Sequence, residues 1–122
     1  MQGAVLITGA TSGFGAASAR CLARQGWPLI LCGRRLERLQ ALADELSELT
    51  SVLPLQLDVR DAIAVQRAID ELPEPFSGIQ VLVNNAGLAL APGPAQAVEL
   101  SDLHTMIDTN ITGLVNMTHA VL

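Results

Sequence analysis

The sequence predicts an α/β fold in which a parallel sheet is covered by helices on both faces. Segments typical of strands and of helices alternate along the chain. The strand segments are apolar throughout rather than at every second residue, which is typical of strands buried on both faces. Half of the 122 residues are hydrophobic, so the chain can form the core of one domain.

The first two strand–helix pairs have clear boundaries. The segment "AVLIT" is a short apolar run that glycine ends, and it predicts a buried strand. Gly13 to Gln25 predicts a helix that Gly26 stops. The segment "PLILC" predicts the second strand. Leucines spaced by three and four residues then predict an amphipathic helix from Arg35 to Leu49.

The third and fourth strands follow the same alternation. "SVLPLQLDV" predicts the third strand, and Pro54 within it indicates an edge position. A helix from Asp61 to Leu72 is predicted next, with Asp61 as its N-cap. The fourth strand is "IQVLVNN".

A long loop, in which two prolines bar a helix, leads to a final predicted helix from Ser101 to Leu122. Right-handed crossovers between parallel strands then give a Rossmann-like, doubly wound parallel sheet of four strands in the order 3-2-1-4. In such a sheet, ligands bind at the carboxyl ends of the strands, where the strand order reverses.

Composition excludes several classes of function. The formal net charge is −5, and all seven basic residues are arginines, so the chain lacks the basic face that nucleic-acid binding needs. No segment resembles a signal peptide or a membrane span, which favours a cytoplasmic protein without membrane partners. Cys21 and Cys32 have no metal-site spacing, and we expect two buried, reduced thiols and no metal.

Three glycines follow the first strand, which ends at Thr8. Gly9 suits a tight turn, Gly13 lets a phosphate approach the backbone, and Gly15 lets the first helix pack close to the sheet. The spacing Gly-x-x-x-Gly-x-Gly differs from the common dinucleotide fingerprint. A phosphate-binding turn and a plain glycine-rich turn are both open at this point.

The end of the second strand reads "LCGRR". An NAD-binding protein usually carries an acidic residue here for the ribose 2′-hydroxyl. Arg34 and Arg35 instead suit a 2′-phosphate, which predicts NADP rather than NAD. The alternative is that both arginines open a solvated helix, although a helix N-terminus disfavours cations.

Polar residues also follow the third and fourth strands. Asp58 can accept a hydrogen bond from an adenine amino group, or it can serve as an N-cap or turn residue. Asn84 and Asn85 can bridge neighbouring strands, and Ala86 and Gly87 leave space for a ribose. Ordinary turn chemistry is the alternative for these four residues.

Asn110 lies within an apolar stripe of the final helix. The stripe consists of Leu103, Met106, Ile107, Ile111, Leu114, Val115, Thr118, Val121 and Leu122. We expect a buried asparagine, which must find hydrogen-bond partners. It can be tied to a backbone carbonyl, or it can anchor a water or carbonyl beside an active site.

Together, these motifs resemble the short-chain dehydrogenase/reductase family over essentially the whole chain. The resemblance is carried by "TGATSGFG" (8–15), "LDV" (57–59), "NNAG" (84–87) and "IDTNITGL" (107–114). Details such as "GRRLERL" look closest to the branch of NADP-dependent 3-hydroxy acid dehydrogenases, which includes serine and malonic semialdehyde-type enzymes.

The resemblance implies an NADP-dependent oxidoreductase that moves hydride between the nicotinamide and a small hydroxy acid or alcohol. It implies contacts to NADP from Gly9, Ala10, Thr11, Ser12, Gly13, Phe14 and Gly15 at the phosphates, Arg34 and Arg35 at the 2′-phosphate, Asp58 and Val59 at the adenine, and Asn85, Ala86 and Gly87 at the ribose. Asn110 would be the asparagine of the family's Asn-Ser-Tyr-Lys catalytic set, holding a water in the proton relay.

The sequence departs from the family in length and in acid/base residues. The family's Ser, Tyr and Lys lie beyond the last residue of this chain, which contains no Tyr and no Lys. We expect residues 1–122 to be the dinucleotide-binding N-terminal half of a homo-oligomeric enzyme, truncated within its last helix and inactive alone. The alternative is a non-catalytic nucleotide-binding or interaction module. An apolar, uncapped end at "THAVL" and an unpaired fourth strand favour the first, and predict self-association.

Overall fold

The computed structural model describes residues 3–88 and 93–122 and contains one four-stranded sheet. The strands are β1 (Ala4–Ile7), β2 (Leu29–Gly33), β3 (Val52–Gln56) and β4 (Ile79–Val83). All three neighbouring pairs are parallel, and the order is β3-β2-β1-β4. The predicted doubly wound α/β sheet and its strand order are therefore confirmed.

Within the described residues, the first three helices connect the strands as predicted and the last two follow β4, all with shorter bounds than predicted. They are α1 (Gly13–Arg24), α2 (Leu36–Leu46), α3 (Ala62–Asp70), α4 (Leu100–Ile107) and α5 (Gly113–Val121). Gly26 follows α1 with a φ of 83°, and the Asp61 carboxylate caps α3 by accepting from the Ala64 N–H at 3.0 Å. Pro54 lies in the edge strand β3, as predicted.

The final helical segment runs without a break from Leu100 to Val121, close to the predicted helix from Ser101 to Leu122, but it contains a turn of another kind that was not predicted. A π-helical turn, Asp108–Thr112, separates α4 from α5. Such turns widen the hydrogen-bonding pattern within a helix, and the spacing of apolar residues does not reveal them. The loop before α4 contains a short 3₁₀ turn at Ala95–Ala97, and Pro92 lies outside the described residues.

Alternate residues of the two central strands build two cores, one on each face of the sheet. Val5, Ile7 and the corresponding residues of β2 pack against α1 and α2. Leu6, Ile30 and Cys32 pack on the other face, with Val65 of α3 and Met117 of α5. This follows from the two-residue period of a strand, which sends successive side chains to opposite faces.

The two cysteines differ in exposure. Cys32 is buried as expected, whereas Cys21 lies exposed on α1, so the expectation of two buried thiols was wrong for Cys21. Both are free thiols. Among the described residues, no helix combines the length and the apolar character needed to cross a membrane.

Candidate functional site

A groove of about 220 Å³ opens at the carboxyl edge of the sheet. It is lined by Gly9, Thr11, Ser12, Cys32, Gly33, Arg34, Arg35, Arg38, Leu57, Asp58, Val59, Ala86, Gly87, Leu88 and Thr109. These residues come from the segments that follow all four strands, from α2 and from the π-helical turn. The groove therefore lies where the strand order reverses, as expected for a doubly wound sheet.

The turn after β1 is held tightly against its neighbours. Gly9 has a φ of 60°, in the left-handed region that favours glycine. A Cβ at this position would lie 2.9 Å from the Ala86 Cα, so a side chain has no room. The next N–H, that of Ala10, donates to the Cys32 carbonyl of β2 at 3.1 Å. Both glycine requirements, conformation and close approach, are met at Gly9.

Gly15 allows α1 to cross this turn at close range. A Cβ at Gly15 would collide with the Gly9 carbonyl oxygen and lie 2.6 Å from the Asn85 Nδ2. That same Asn85 Nδ2 donates to the Gly9 oxygen at 3.0 Å. Asn85 thus bridges the segments after β4 and β1, as the sequence suggested, and Gly15 leaves it room.

The N-terminus of α1 is open toward an anion. The first N–H groups of a helix have no acceptor within the helix. The Ser12 side chain makes no capping hydrogen bond, and the first turn carries no acidic residue. Gly13 has a φ of 52°, and a Cβ there would meet nothing within 4 Å. The Gly15 and Ala16 N–H groups donate to the Ser12 carbonyl at 3.1 and 3.5 Å, whereas those of Gly13 and Phe14 have no acceptor within residues 3–88 and 93–122 and lie at the positive end of the helix dipole.

Thr8, which the sequence analysis used only to end a strand, organises the same region. Its side chain is buried, and its Oγ1 accepts from the N–H groups of Asn85 at 3.0 Å and Ala86 at 2.9 Å. Its hydroxyl donates to the Val83 carbonyl at 3.4 Å. A threonine at the end of a strand that is otherwise apolar was the available signal.

Three arginines line the part of the groove beside β2. Arg34 and Arg35 were singled out from the sequence, and Arg38 joins them from the first turn of α2. The spacing of three and four residues that brings Arg38 to the same side was visible in the sequence. Within residues 3–88 and 93–122, the ion pairs involve Arg20 and Arg60, not these three.

Asp58 lines the groove, and its carboxylate accepts hydrogen bonds from Arg60. The Arg60 Nη2 donates to the Asp58 Oδ2 at 2.7 Å, and the Arg60 backbone N–H donates to Oδ1 at 3.0 Å. The hydrogen bond from the Arg60 side chain holds the pKa of the Asp58 carboxyl below its ordinary value. The turn role considered for Asp58 is thus observed, and the carboxylate also borders the groove.

Val59 connects the groove to α5. A Cβ on Gly113 would collide with the Val59 side chain, so the helix passes directly over this residue. The Asn116 Nδ2 donates to the Val59 carbonyl at 2.9 Å. The segment after β3 is therefore held in place by the helix that follows the π-helical turn.

Asn110 is exposed, so the expectation of a buried asparagine was wrong. Its side-chain amide nevertheless has two partners on one residue. The Asn110 Oδ1 accepts from the Leu88 N–H at 2.7 Å, and the Nδ2 donates to the Leu88 carbonyl at 2.9 Å. Asn110 lies in the π-helical turn. The expectation of burial assumed a regular α-helix and did not include this turn. The tie to a backbone carbonyl is one of the two roles that the sequence left open.

Not every predicted site residue borders the groove. Those that do are Gly9, Thr11, Ser12, Arg34, Arg35, Asp58, Val59, Ala86 and Gly87. Those outside its lining are Ala10, Gly13, Phe14, Gly15, Asn85 and Asn110. Gly15 and Asn85 shape the turn from behind, and Phe14 is 85% exposed.

Similarity to known proteins agrees with this architecture. The family model described as "short chain dehydrogenase" matches residues 3–122. The chain is 67% identical over its full length to sulfoacetaldehyde reductase 2 of Chromohalobacter salexigens, covering 48% of that protein. It is 53% identical over 118 residues to the NADP-dependent 3-hydroxy acid dehydrogenase YdfG of Salmonella typhi, covering 97% of this chain and 47% of that protein.

A solved structure described as the closed form of serine dehydrogenase complexed with NADP+ is similar with a TM-score of 0.89 and 50% identity, covering 97% of this chain and 47% of that one. The chain thus spans about half the length of the curated relatives it matches. The family match covers nearly the whole chain, and the sheet has the strand order that the sequence predicted. The chain belongs to the short-chain dehydrogenase family.

Proposed function

We propose that residues 1–122 form the NADP-binding part of an oxidoreductase that moves hydride between the nicotinamide and a small hydroxy acid or alcohol. The diphosphate would lie at the open start of α1, beside Ser12 and Gly13. The 2′-phosphate would lie among Arg34, Arg35 and Arg38. Asp58 would border the adenine.

The arginine trio is the observation that carries the choice of NADP. In a chain of net charge −5, three arginine residues line one part of one groove. They lie at the start of a helix, where cations are unfavourable, and the described ion pairs do not neutralise them. A phosphate dianion offsets this repulsion and accepts the charge-assisted hydrogen bonds that guanidinium groups form well.

The substrate class follows from the relatives rather than from the groove. One relative, 67% identical, is named for the reduction of sulfoacetaldehyde. Another, 53% identical, is named as a 3-hydroxy acid dehydrogenase. Both names denote a small molecule with an anionic group close to the reacting carbon. We therefore infer a substrate of that kind, an aldehyde in one direction and an alcohol in the other.

Asn110 would serve the reacting end of the cofactor. Its double hydrogen bond fixes Leu88, which lines the groove, and its neighbour Thr109 lines the groove as well. In the family's proton relay, this asparagine would hold a water. The Ser, Tyr and Lys of that relay would come from the rest of the full-length protein, which we expect to be a homo-oligomer.

Binding measurements on Arg34→Asp test the cofactor assignment. The variant should weaken NADP+ binding about tenfold or more, since it loses a charge-assisted contact and adds a repulsive carboxylate. NAD+ binding should change far less. Titration calorimetry with both dinucleotides gives the ratio, and Arg67→Asp on α3 is the control for a charge reversal away from the groove. Equal losses for both dinucleotides would refute the assignment.

One observation favours a second candidate for the 122 residues by themselves. They contain no Tyr and no Lys, so they lack the family's general acid/base and the residue that lowers its pKa. The chain alone would then be a non-catalytic nucleotide-binding module. NADPH-linked reduction of a small aldehyde by the pure 122-residue chain decides this point: we expect none, and robust turnover would overturn that expectation.

A further inference from the structure

Beside the groove, Arg60 donates hydrogen bonds to the Asp58 carboxylate from both its backbone and its side chain, whereas a turn needs only the backbone hydrogen bond. The Asp58 Oδ1 accepts from the Arg60 backbone N–H and from Nε, both at 3.0 Å. Its Oδ2 accepts from Nη2 at 2.7 Å and from Nε at 3.1 Å. A flat guanidinium therefore holds one edge of the carboxylate, and the backbone of the same residue holds Oδ1 from another side.

This arrangement leaves one acceptor position of the carboxylate open. A carboxylate offers about four lone-pair positions, two on each oxygen. Oδ1 receives the backbone N–H in addition to the guanidinium Nε, whereas both donors to Oδ2, Nη2 and Nε, belong to that one planar guanidinium and reach Oδ2 from the same side, as far as residues 3–88 and 93–122 show. The Asp58 side chain is 37% exposed and lines the groove. The free lone pair of Oδ2 is thus available to a ligand.

The carboxylate is also kept in its ionised form. Hydrogen bonding to Arg60 lowers the pKa of Asp58, and the Asp58 carboxylate and the more distant Asp108 raise the pKa of Arg60. An ionised carboxylate only accepts hydrogen bonds. It can bind an amino group on a purine, but it opposes an oxo group at the same position, because two acceptors then face each other.

We propose that Arg60 is a positioning residue that makes this end of the groove select a purine with an exocyclic amino group over one with an oxo group. It does so by fixing the Asp58 carboxylate in one orientation at the groove. Without the guanidinium hydrogen bonds from Arg60, the Asp58 side chain can rotate toward water, and its carboxylate then neither binds an amino group nor repels an oxo group. The proposal rests on the proposed dinucleotide-binding function and adds a determinant of base selectivity to it.

The test compares NADP+ with its deaminated analogue, which carries hypoxanthine in place of adenine, and includes NAD+. Titration calorimetry on the wild-type protein should show a preference for adenine of about tenfold, as expected for one hydrogen bond to a charged group. Arg60→Ala should bring this ratio toward one and leave the ratio of NADP+ to NAD+ unchanged. Arg60→Lys, which keeps the positive charge but loses the planar guanidinium that donates two hydrogen bonds side by side, should give an intermediate preference for adenine.

Arg67→Ala is the matched control, an exposed arginine on α3, and should keep the wild-type preference. The inference is overturned if Arg60→Ala keeps the full preference for adenine, or if it weakens both bases equally. Should Arg60→Ala fail to fold, the ratio for Arg60→Lys decides. A wild-type protein that binds both bases equally well ends this inference but leaves the proposed function standing. A wild-type protein that binds no dinucleotide ends both.

Discussion

The central strands and the last helices of this chain differ in how they are held. Every residue of β1 is buried, and so are the first four residues of β2. In contrast, α4 and the π-helical turn contain no buried residue, and Ile107, Ile111 and Leu114 expose much of their side chains. The first region is held by apolar packing on both faces of the sheet, and the second is held largely by a few hydrogen bonds and by α5.

This difference divides the groove. Its side lined by Gly9, Ser12 and the three arginines follows β1 and β2, whose residues are almost all buried. Its other side depends on Leu88 and Thr109, which are held by Asn110 and the π-helical turn. If the proposed function is right, the well-packed side would hold the constant part of the cofactor, and the less buried side would border the variable substrate.

The largest difference in the free energy of unfolding should appear when a side chain is added to a glycine that makes a close contact in each region. Gly15→Ala should lower the free energy of unfolding by about 3 kcal/mol, because the new Cβ meets the backbone carbonyl of Gly9. Gly113→Ala should cost less, about 1.5 kcal/mol, because the new Cβ meets the Val59 side chain rather than a backbone atom. Urea unfolding of both variants measures the two values. A larger cost at Gly113 would contradict the comparison.

Replacing the two asparagines that bridge segments should give a smaller difference in the free energy of unfolding, again with the larger cost near the central strands. Asn85→Ala removes a partly buried donor to the Gly9 carbonyl and should cost about 2 kcal/mol. Asn110→Ala removes two exposed hydrogen bonds to Leu88, where water can replace the partner, and should cost about 1 kcal/mol. The midpoint of urea unfolding again gives the measurement. Equal costs would show that the two regions are held equally firmly.

The last expected effect is a loss of stability in alkaline solution that arises in the central strands and grows with pH. Burial raises the pKa of the Cys32 thiol from about 9 to about 12. Between these values, the unfolded chain releases a proton that the folded chain keeps, so stability is complete below pH 9 and falls as the pH rises. The loss should be about 1 kcal/mol at pH 10.

Melting temperatures from pH 8 to 11 measure this loss. The Cys32→Ala variant should lack that component of the alkaline slope, whereas Cys21→Ala, which removes the exposed thiol of α1, should keep it. An identical slope in both variants would show that Cys32 does not cause it.

Local signals account for the parts of the fold that were predicted well. Gly26 ends α1, Asp61 caps α3 and Pro54 marks an edge strand, and each acts through the conformation or hydrogen bonding of residues within a few positions. The glycine motif was interpreted by the same logic. Asn85 was a partial success, since its bridging role was suggested but not its partner, the Gly9 carbonyl.

Predictions failed where the outcome depended on packing between elements. The apolar stripe around Asn110 indicated burial, but α4 and the π-helical turn lie against too little of the remaining structure to cover it. Cys21 falls on the exposed side of α1, which the small residues of that helix did not make clear. The role of Arg60 was missed because its hydrogen bonds to Asp58 depend on the turn geometry between them.

The sequence by itself determined the alternation of strands and helices, their order in the sheet, and the residue types that follow each strand, because these depend on backbone preferences and apolar spacing over short stretches. Only the tertiary structure decided which of those residues meet. Thr8 binds the backbone of Asn85 and Ala86 across 77 and 78 positions of the chain, and Asn110 binds Leu88 across 22. Such contacts form when parallel strands bring their carboxyl ends to one edge, and no local pattern encodes the distances between them.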